Sequence, residues 1–432
     1  MTQQSNGKPA GNIPRGIASG GIPLLSYGFR PFFLAAGLFA PVAMILWLGA
    51  LIAGWDIGGA SYGPANWHAH EMLFGYTTAA LSGFLLTTIP NWTGRLPVSG
   101  PRLLAIVLLW LAGRVAMAVP DLLGQGVSAV IDGLFLPVIL FIAVREIVAG
   151  RNWRNLKIAA GLGGLSAINI AAHVAIALGA DPSPFFRGAI AVYICLIALI
   201  GGRIVPSFTR NWLARAQARH LPAPFDGYDV AAMLVLILAT ASWTVFADTP
   251  LTAILAVLAA VLHVGRLVRW RGFDALAEPM LVALHLGYAF VPVGLAAIAL
   301  AATGWISMVS ALHLLTVGAI GNMTLAVMTR ATMGHTGRPI RASGNTIAIF
   351  AAVFVAAAIR PFAEMFPDLY FIVLGTSGAA WIAAFLLFCI EFGPMLLGPK
   401  LKLAPPQRVN AAPPGAPGPA PAPRDTATPS RN

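Results

Sequence analysis

Twelve runs of mostly apolar residues follow one another along this chain, and each is long enough to cross a bilayer as a helix. A hydrocarbon core ~30 Å thick takes ~20 residues of helix. Within it every backbone polar group must be satisfied internally, so the spanning choices are helices or a closed barrel. The runs are continuous rather than alternating, which selects helices. They cover approximately residues 32–53, 68–90, 102–119, 128–149, 157–180, 186–206, 229–247, 250–271, 277–301, 305–328, 345–365 and 370–396. The connections are too short to hold a soluble domain. Composition agrees: 58% of the 432 residues are hydrophobic and 10% are charged, against ~25% charged in a soluble globular chain. The sequence therefore predicts an all-α polytopic membrane protein of about 12 transmembrane helices over residues 28–398. Residues 1–27 are polar, Gly-rich and basic, without a separate apolar segment that would mark a cleavable signal peptide. Residues 399–432 are dominated by Pro and Ala, and both ends are expected to be disordered.

The formal net charge is +12, yet its distribution argues against a nucleic-acid partner. Lys8, Arg15 and Arg30 precede the first span, Arg95 and Arg102 follow the second, and Arg151, Arg154 and Lys157 follow the fourth. Arg210, Arg215 and Arg219 follow the sixth, Arg266, Arg269 and Arg271 close the eighth, and Arg330, Arg338 and Arg341 follow the tenth. The alternate loops hold almost no basic residues. This is the positive-inside pattern, and it predicts that both termini lie in the cytoplasm and that the positive charge encodes topology.

A 25-residue interval separates His70 from Arg95 and recurs between His313 and Arg338, and Thr-Gly-Arg ends both segments. Gly75 and Gly318 each follow their histidine by five, and PSFTRN at Pro206–Asn211 echoes PNWTGR at Pro90–Arg95. These features fall on spans two, six and ten. Three units of four helices would produce that spacing, and so would coincidence. Both histidine-bearing spans run from outside to inside, so equal spacing sets His70 and His313 at similar depth. Two neutral imidazoles at one height can hold a haem iron from both faces, or share a copper.

The histidines fall into two layers. His68, His70, His173 and His313 lie toward the outer side, and His263, His285 and His335 toward the inner side. His220 sits in a cytoplasmic loop. Ionisable groups in the membrane are costly and mark ion or cofactor sites by default. The alternative for any one of them is a hydrogen bond to a neighbouring helix. Seven in two layers, with few carboxylates in the helices to pair them, favour two metal sites. His68 and His70 are two apart and project roughly 200° from each other on a helix. Glu71 follows His68 by three and shares its face. It is either an acceptor that fixes an imidazole tautomer or an acid near a helix N-terminus. Arg114, Arg187 and Arg360 are the outer-side bases able to meet haem propionates, or else snorkelling interfacial residues. Asp132 and Arg203 serve either a proton path or polar interhelical contacts. Trp67 and Trp305 read as interfacial belt, and Cys195 and Cys389 as small packing residues rather than thiolate ligands.

In its motifs the chain resembles the NnrS family of bacterial membrane proteins. They are GFRPFF (Gly28–Phe33), WHAHEMLFGY (Trp67–Tyr76), GFLLTTIPNWTGR (Gly83–Arg95), GGRIVPSFTRN (Gly201–Asn211), HLGY (His285–Tyr288), ALHLLTVGAIG (Ala311–Gly321) and MTRATMGHTGR (Met328–Arg338). The resemblance spans roughly residues 25–395. It implies a protein of the bacterial cytoplasmic membrane that contains haem, expected to be of the b type, and copper. It further implies a link to denitrification and protection against nitric oxide and nitrosative stress. Nitric oxide is the implied ligand, and the electron donor is not named by the sequence. By the same resemblance His68, His70, His285, His313 and His335 are metal ligands, with His173 and His263 outside the strongest motifs.

The layout of twelve helices with outer histidines on spans two and ten is also similar to the catalytic subunit of haem–copper oxidases. That similarity would give His70 and His313 the axial positions of a haem and Arg360 a propionate. Spans six and seven carry no histidine, however, where oxidases place copper ligands, so oxygen reduction is not expected. The resulting expectation is an outer haem on His70 and His313, with copper or a second haem on His263, His285 and His335. A membrane transporter or metal-handling protein, and a cofactor-dependent sensor or assembly factor, are the alternatives. A reporter active only in the cytoplasm should work when fused after Asn432 and fail when inserted near Gly124. The reverse pattern would invert the expected topology.

Overall fold

Twelve helices long and apolar enough to cross a membrane make up most of residues 21–401, the part of the chain described by this computed structural model. They are α1 (Phe29–Ala53), α2 (Gly59–Thr93), α3 (Gly100–Ala118), α4 (Gln125–Ala149), α5 (Trp153–Ala177) and α6 (Ser183–Arg215). The second half holds α7 (Gly227–Val245), α8 (Pro250–Arg269), α9 (Pro279–Ala302), α10 (Met308–His335), α11 (Gly344–Phe362) and α12 (Pro367–Leu397). No strand occurs among the described residues. Most of the expected tails, 1–20 and 402–432, lie outside them.

The helices number and fall as hydropathy predicts, but three run further. The second begins at Gly59 rather than 68, and the sixth and tenth end at Arg215 and His335 rather than 206 and 328. Hydropathy finds only the part that hydrocarbon requires. The hydrogen-bond ladder of a helix runs on through polar residues such as Thr209–Asn211 because it needs no apolar side chain.

Side-chain size separates the lipid face from the buried face on α8, but not on α3. On α3, Leu104, Leu108, Leu111 and Val115 are exposed, while Leu103, Ile106, Trp110, Arg114 and Met117 are buried on the other face. On α8, Leu251, Ile254, Val261, Val264 and Val268 are exposed and Ala253, Ala256, Ala259 and Ala260 are buried. Large aliphatics gain nothing by leaving lipid for protein, whereas small residues let helix backbones approach closely. The helices most enclosed by others are α2, α6, α9 and α10.

Polar contacts fasten this frame. Arg266 on α8 is 1% exposed. It donates to Asp229 on α7 at 2.8 Å, to the Tyr288 hydroxyl on α9 at 2.6 Å and to the Ala198 carbonyl on α6 at 3.2 Å, joining four helices. Gly202 makes room for it, since a Cβ there would lie 2.0 Å from the guanidinium. Arg30 at the start of α1 donates to the Leu396 and Gly398 carbonyls at 2.8 and 2.6 Å, which closes the first helix against the last. Trp67 departs from the interfacial role expected of it: it is 2% exposed and donates to the Met117 carbonyl at 2.8 Å. The helix starts well before it, which carries the indole into the bundle, whereas Trp305 is 80% exposed.

Gly202→Ala should destabilise the protein by about 1–3 kcal/mol by crowding Arg266. Gly375→Ala, which meets no atom within 4 Å, should be near neutral. Thermal unfolding in detergent distinguishes them.

Candidate metal and cofactor sites

Helices α2 and α10 share an irregularity at the residues that matter most. Each runs as an α-helix to a histidine, His70 or His313, and then widens into a π-helical segment, Glu71–Tyr76 or Leu314–Gly321. The wider turn frees carbonyls that hydrocarbon cannot solvate, so side chains must take them. Tyr193 donates to the Leu73 carbonyl at 2.8 Å and Trp110 to that of Gly75 at 3.0 Å. On α10, Asn322 donates to the Gly318 carbonyl at 2.9 Å. Such π segments recur at functional sites because they re-aim side chains. Upstream, Gly63 (φ 68°, ψ 159°) and Pro64 break α2, which sets the angle of the segment carrying His68 and His70.

The two histidines of α2 point into different compartments, as a separation of two residues requires. His68 lines a cavity of about 550 Å³ enclosed by α1, α2, α6, α10, α11 and α12, and His313 and Arg360 line the same cavity. The His68 ring is stacked on Trp47 with centroids 4.5 Å apart, and its Nδ1 is buried without a hydrogen-bond partner. The His313 Nδ1–H donates to the Val309 carbonyl at 2.6 Å. A carbonyl only accepts, so this bond fixes the tautomer and leaves Nε2 as the lone-pair donor. Two cations stand on the cavity wall. Arg360 pairs with Glu364 at 2.9 Å, and Arg187 gives one bond to the Thr244 carbonyl at 3.2 Å while its Nε is buried without a partner.

His70 faces the other way, into a water-excluded polar cluster formed by α2, α3, α4 and α5. Its Nδ1 lies 2.9 Å from Glu71 Oε1, and its Nε2 lies 3.1 Å from Asp132 Oδ2 and 3.0 Å from Asn169 Oδ1. His173 Nε2 lies 3.0 Å from the same Asp132 oxygen, and its Nδ1 lies 2.7 Å from the Tyr62 hydroxyl. Arg114 bridges Glu71 and Asp132. Gly75 admits it, because a Cβ there would lie 2.7 Å from the guanidinium. His70, Asp132 and His173 each offer a donor atom within 4.8 Å of the others, and all three are buried.

The structure therefore brings His68, His313 and Arg360 together and sets His70 apart from them, with Arg114 committed to two carboxylates. It does not gather the inner three. His263 bonds to the Tyr288 hydroxyl at 2.7 Å and His285 to Thr209 at 2.9 Å. His335 packs beside Tyr27 and Phe29 on a separate cavity of about 360 Å³, which Arg203 and Arg330 also line. Asp132 and Asn169 enter the cluster unannounced by motif. The available signal was the spacing of Asn169 and His173, four apart and so on one helix face.

The sequence model of the NnrS protein family matches residues 23–400. The chain belongs to the NnrS family. No curated protein sequence matches it significantly. Membership makes this NnrS chain a multi-pass membrane protein related to nitric oxide, and His68 with His313, and His70 with His173, occupy two compartments on opposite faces of α2.

Removing the bridge between the two buried carboxylates leaves them facing each other uncompensated. Arg114→Met should therefore cost about 3–5 kcal/mol, read as a large fall in the detergent melting temperature. A change within experimental error would mean that water reaches the cluster.

Proposed function

We propose that this NnrS protein acts in the bacterial cytoplasmic membrane, with both termini inside, in the response to nitric oxide and nitrosative stress. It does so as a haem- and copper-binding protein, and His68 and His313 would hold the haem in the outer cavity. The observation that carries this reading is the pairing of two unsaturated imidazoles with two wall arginines in one cofactor-sized space. At about 550 Å³ the cavity falls within the roughly 300–1,000 Å³ typical of cofactor pockets. The His68 Nδ1, buried without a partner, and the His313 Nε2, left unprotonated by the Val309 bond, suit an iron, and Arg187 and Arg360 suit a pair of carboxylates. The sequence holds no Cys-x-x-Cys-His attachment motif, which supports a non-covalent, b-type group.

When bound, the haem would supply an iron able to take nitric oxide and to exchange one electron. The chain's own residues do the rest. The Val309 carbonyl holds the His313 ring in the tautomer that leaves Nε2 unprotonated, and Trp47 fixes the plane of His68. Glu364, itself held by Ser310 at 2.9 Å, restrains Arg360. Apolar side chains such as Leu73, Ile190 and Trp381 exclude water and leave a medium in which nitric oxide, being small and weakly polar, dissolves readily.

The test is a reduced-minus-oxidised spectrum with metal analysis on detergent-purified protein. His68→Ala and His313→Ala should each lose the haem band, and His70→Ala should keep it. Loss with His70→Ala and retention with His68→Ala would restore the pairing expected from sequence spacing. Bound copper without any haem band would move metal handling to the front.

A further inference from the structure

We propose that His70, Asp132 and His173 form a binding site for a single divalent transition-metal ion, on the face of α2 opposite the outer cavity. Glu71 Oε1 lies 2.9 Å from His70 Nδ1 and, as a carboxylate salt-bridged to Arg114, can only accept there. The His70 proton therefore sits on Nδ1, and the Nε2 lone pair faces two more acceptors, Asp132 Oδ2 at 3.1 Å and Asn169 Oδ1 at 3.0 Å. Three electron-rich atoms converging in a buried space need a positive centre among them. A second proton on His70 would supply one, and so would a metal ion.

Charge balance poses the same requirement. Glu71 and Asp132 bring two negative charges, Arg114 one positive, and all three are buried. With neutral imidazoles the cluster carries an excess negative charge in a medium that solvates ions poorly. The surroundings favour the metal over the proton. His173 turns its Nε2 on the same Asp132 oxygen, at 3.0 Å, so a second imidazole nitrogen is already aimed at the shared point. His173 Nδ1–H can donate to the Tyr62 hydroxyl oxygen at 2.7 Å, which leaves Nε2 its lone pair, and Asn169 donates to Asp132 Oδ2 at 2.8 Å.

Each donor is thus oriented by a further residue, the pattern of carboxylate–histidine–metal sites. Two imidazole nitrogens and one carboxylate oxygen suit late first-row divalent ions, and copper(II) is held most strongly by such a set. The site stands on its own geometry. That its ion is the copper of the proposed function rests on that reading, and the haem content reports on the reading separately.

Full-length protein purified in detergent, stripped with chelator and titrated with copper(II) provides the test, read by stoichiometry and by electron paramagnetic resonance. The expected result is one tightly held copper(II) per chain with coupling to two imidazole nitrogens. His173→Gln should leave coupling to one nitrogen and weaken binding at least 10-fold, with haem content unchanged. Asp132→Asn, which keeps the shape of the carboxylate and spares the fold, should also weaken binding at least 10-fold. No tight copper(II) in the wild type, or the same affinity and spectrum in both variants, would overturn the site and leave a protonated His70 as the balancing charge. His313→Ala should lose haem and keep the copper signal, so the two proposals fail independently.

Discussion

A charge placed in hydrocarbon must find its counter-charge inside the protein, and this chain meets that demand at two buried arginines. Arg114 bridges Glu71 and Asp132, and Arg266 bridges Asp229 and Tyr288. Each ties together helices that lipid alone would not drive into contact. The packing around them follows. Gly75 and Gly202 stand where the guanidinium groups pass, and the alanines of α8 let its inner face come close to its neighbours. Polar groups supply the position, while small residues supply the proximity.

The same economy shapes α2. A helix that carries His68 and His70 two residues apart must serve two compartments, because it cannot turn both rings to one side. The break at Gly63 and the π segment from Glu71 set the helix between them. One ring joins His313 and two arginines at an apolar cavity, and the other joins Asp132 and His173 in a closed polar cluster. The two environments differ in the chemistry they admit. An apolar cavity faced by ring nitrogens has room for a large planar group, whereas converging oxygen and nitrogen donors without room to spare suit a proton or an ion.

Legibility from sequence followed the range of the forces involved. The helices were readable because burial in lipid acts on each run of residues separately. The histidines stood out for the opposite reason, each being costly where it lies. Their partners were harder to find. The interval shared by His70 and His313 singles out two residues that both precede a π segment. It does not reveal that His68 and not His70 shares a cavity with His313, since a side chain's direction depends on where the helix begins and bends. The inner histidines His263 and His285, placed at one height by their distance from a hairpin turn, have separate partners in Tyr288 and Thr209 because facing depends on rotation as well as depth.

By itself, then, the sequence determined a helical membrane protein of twelve spans and marked the residues too polar to be there without cause. Those are local properties: hydropathy acts on a run of ~20 residues whatever its neighbours do. Only the tertiary structure decided which polar residues meet. Asp132 is drawn from α4 to His70 on α2 and His173 on α5, and Arg360 from α11 to the cavity of His68 and His313. Such pairings depend on the order, tilt and rotation of helices, which many contacts set jointly and no single segment encodes.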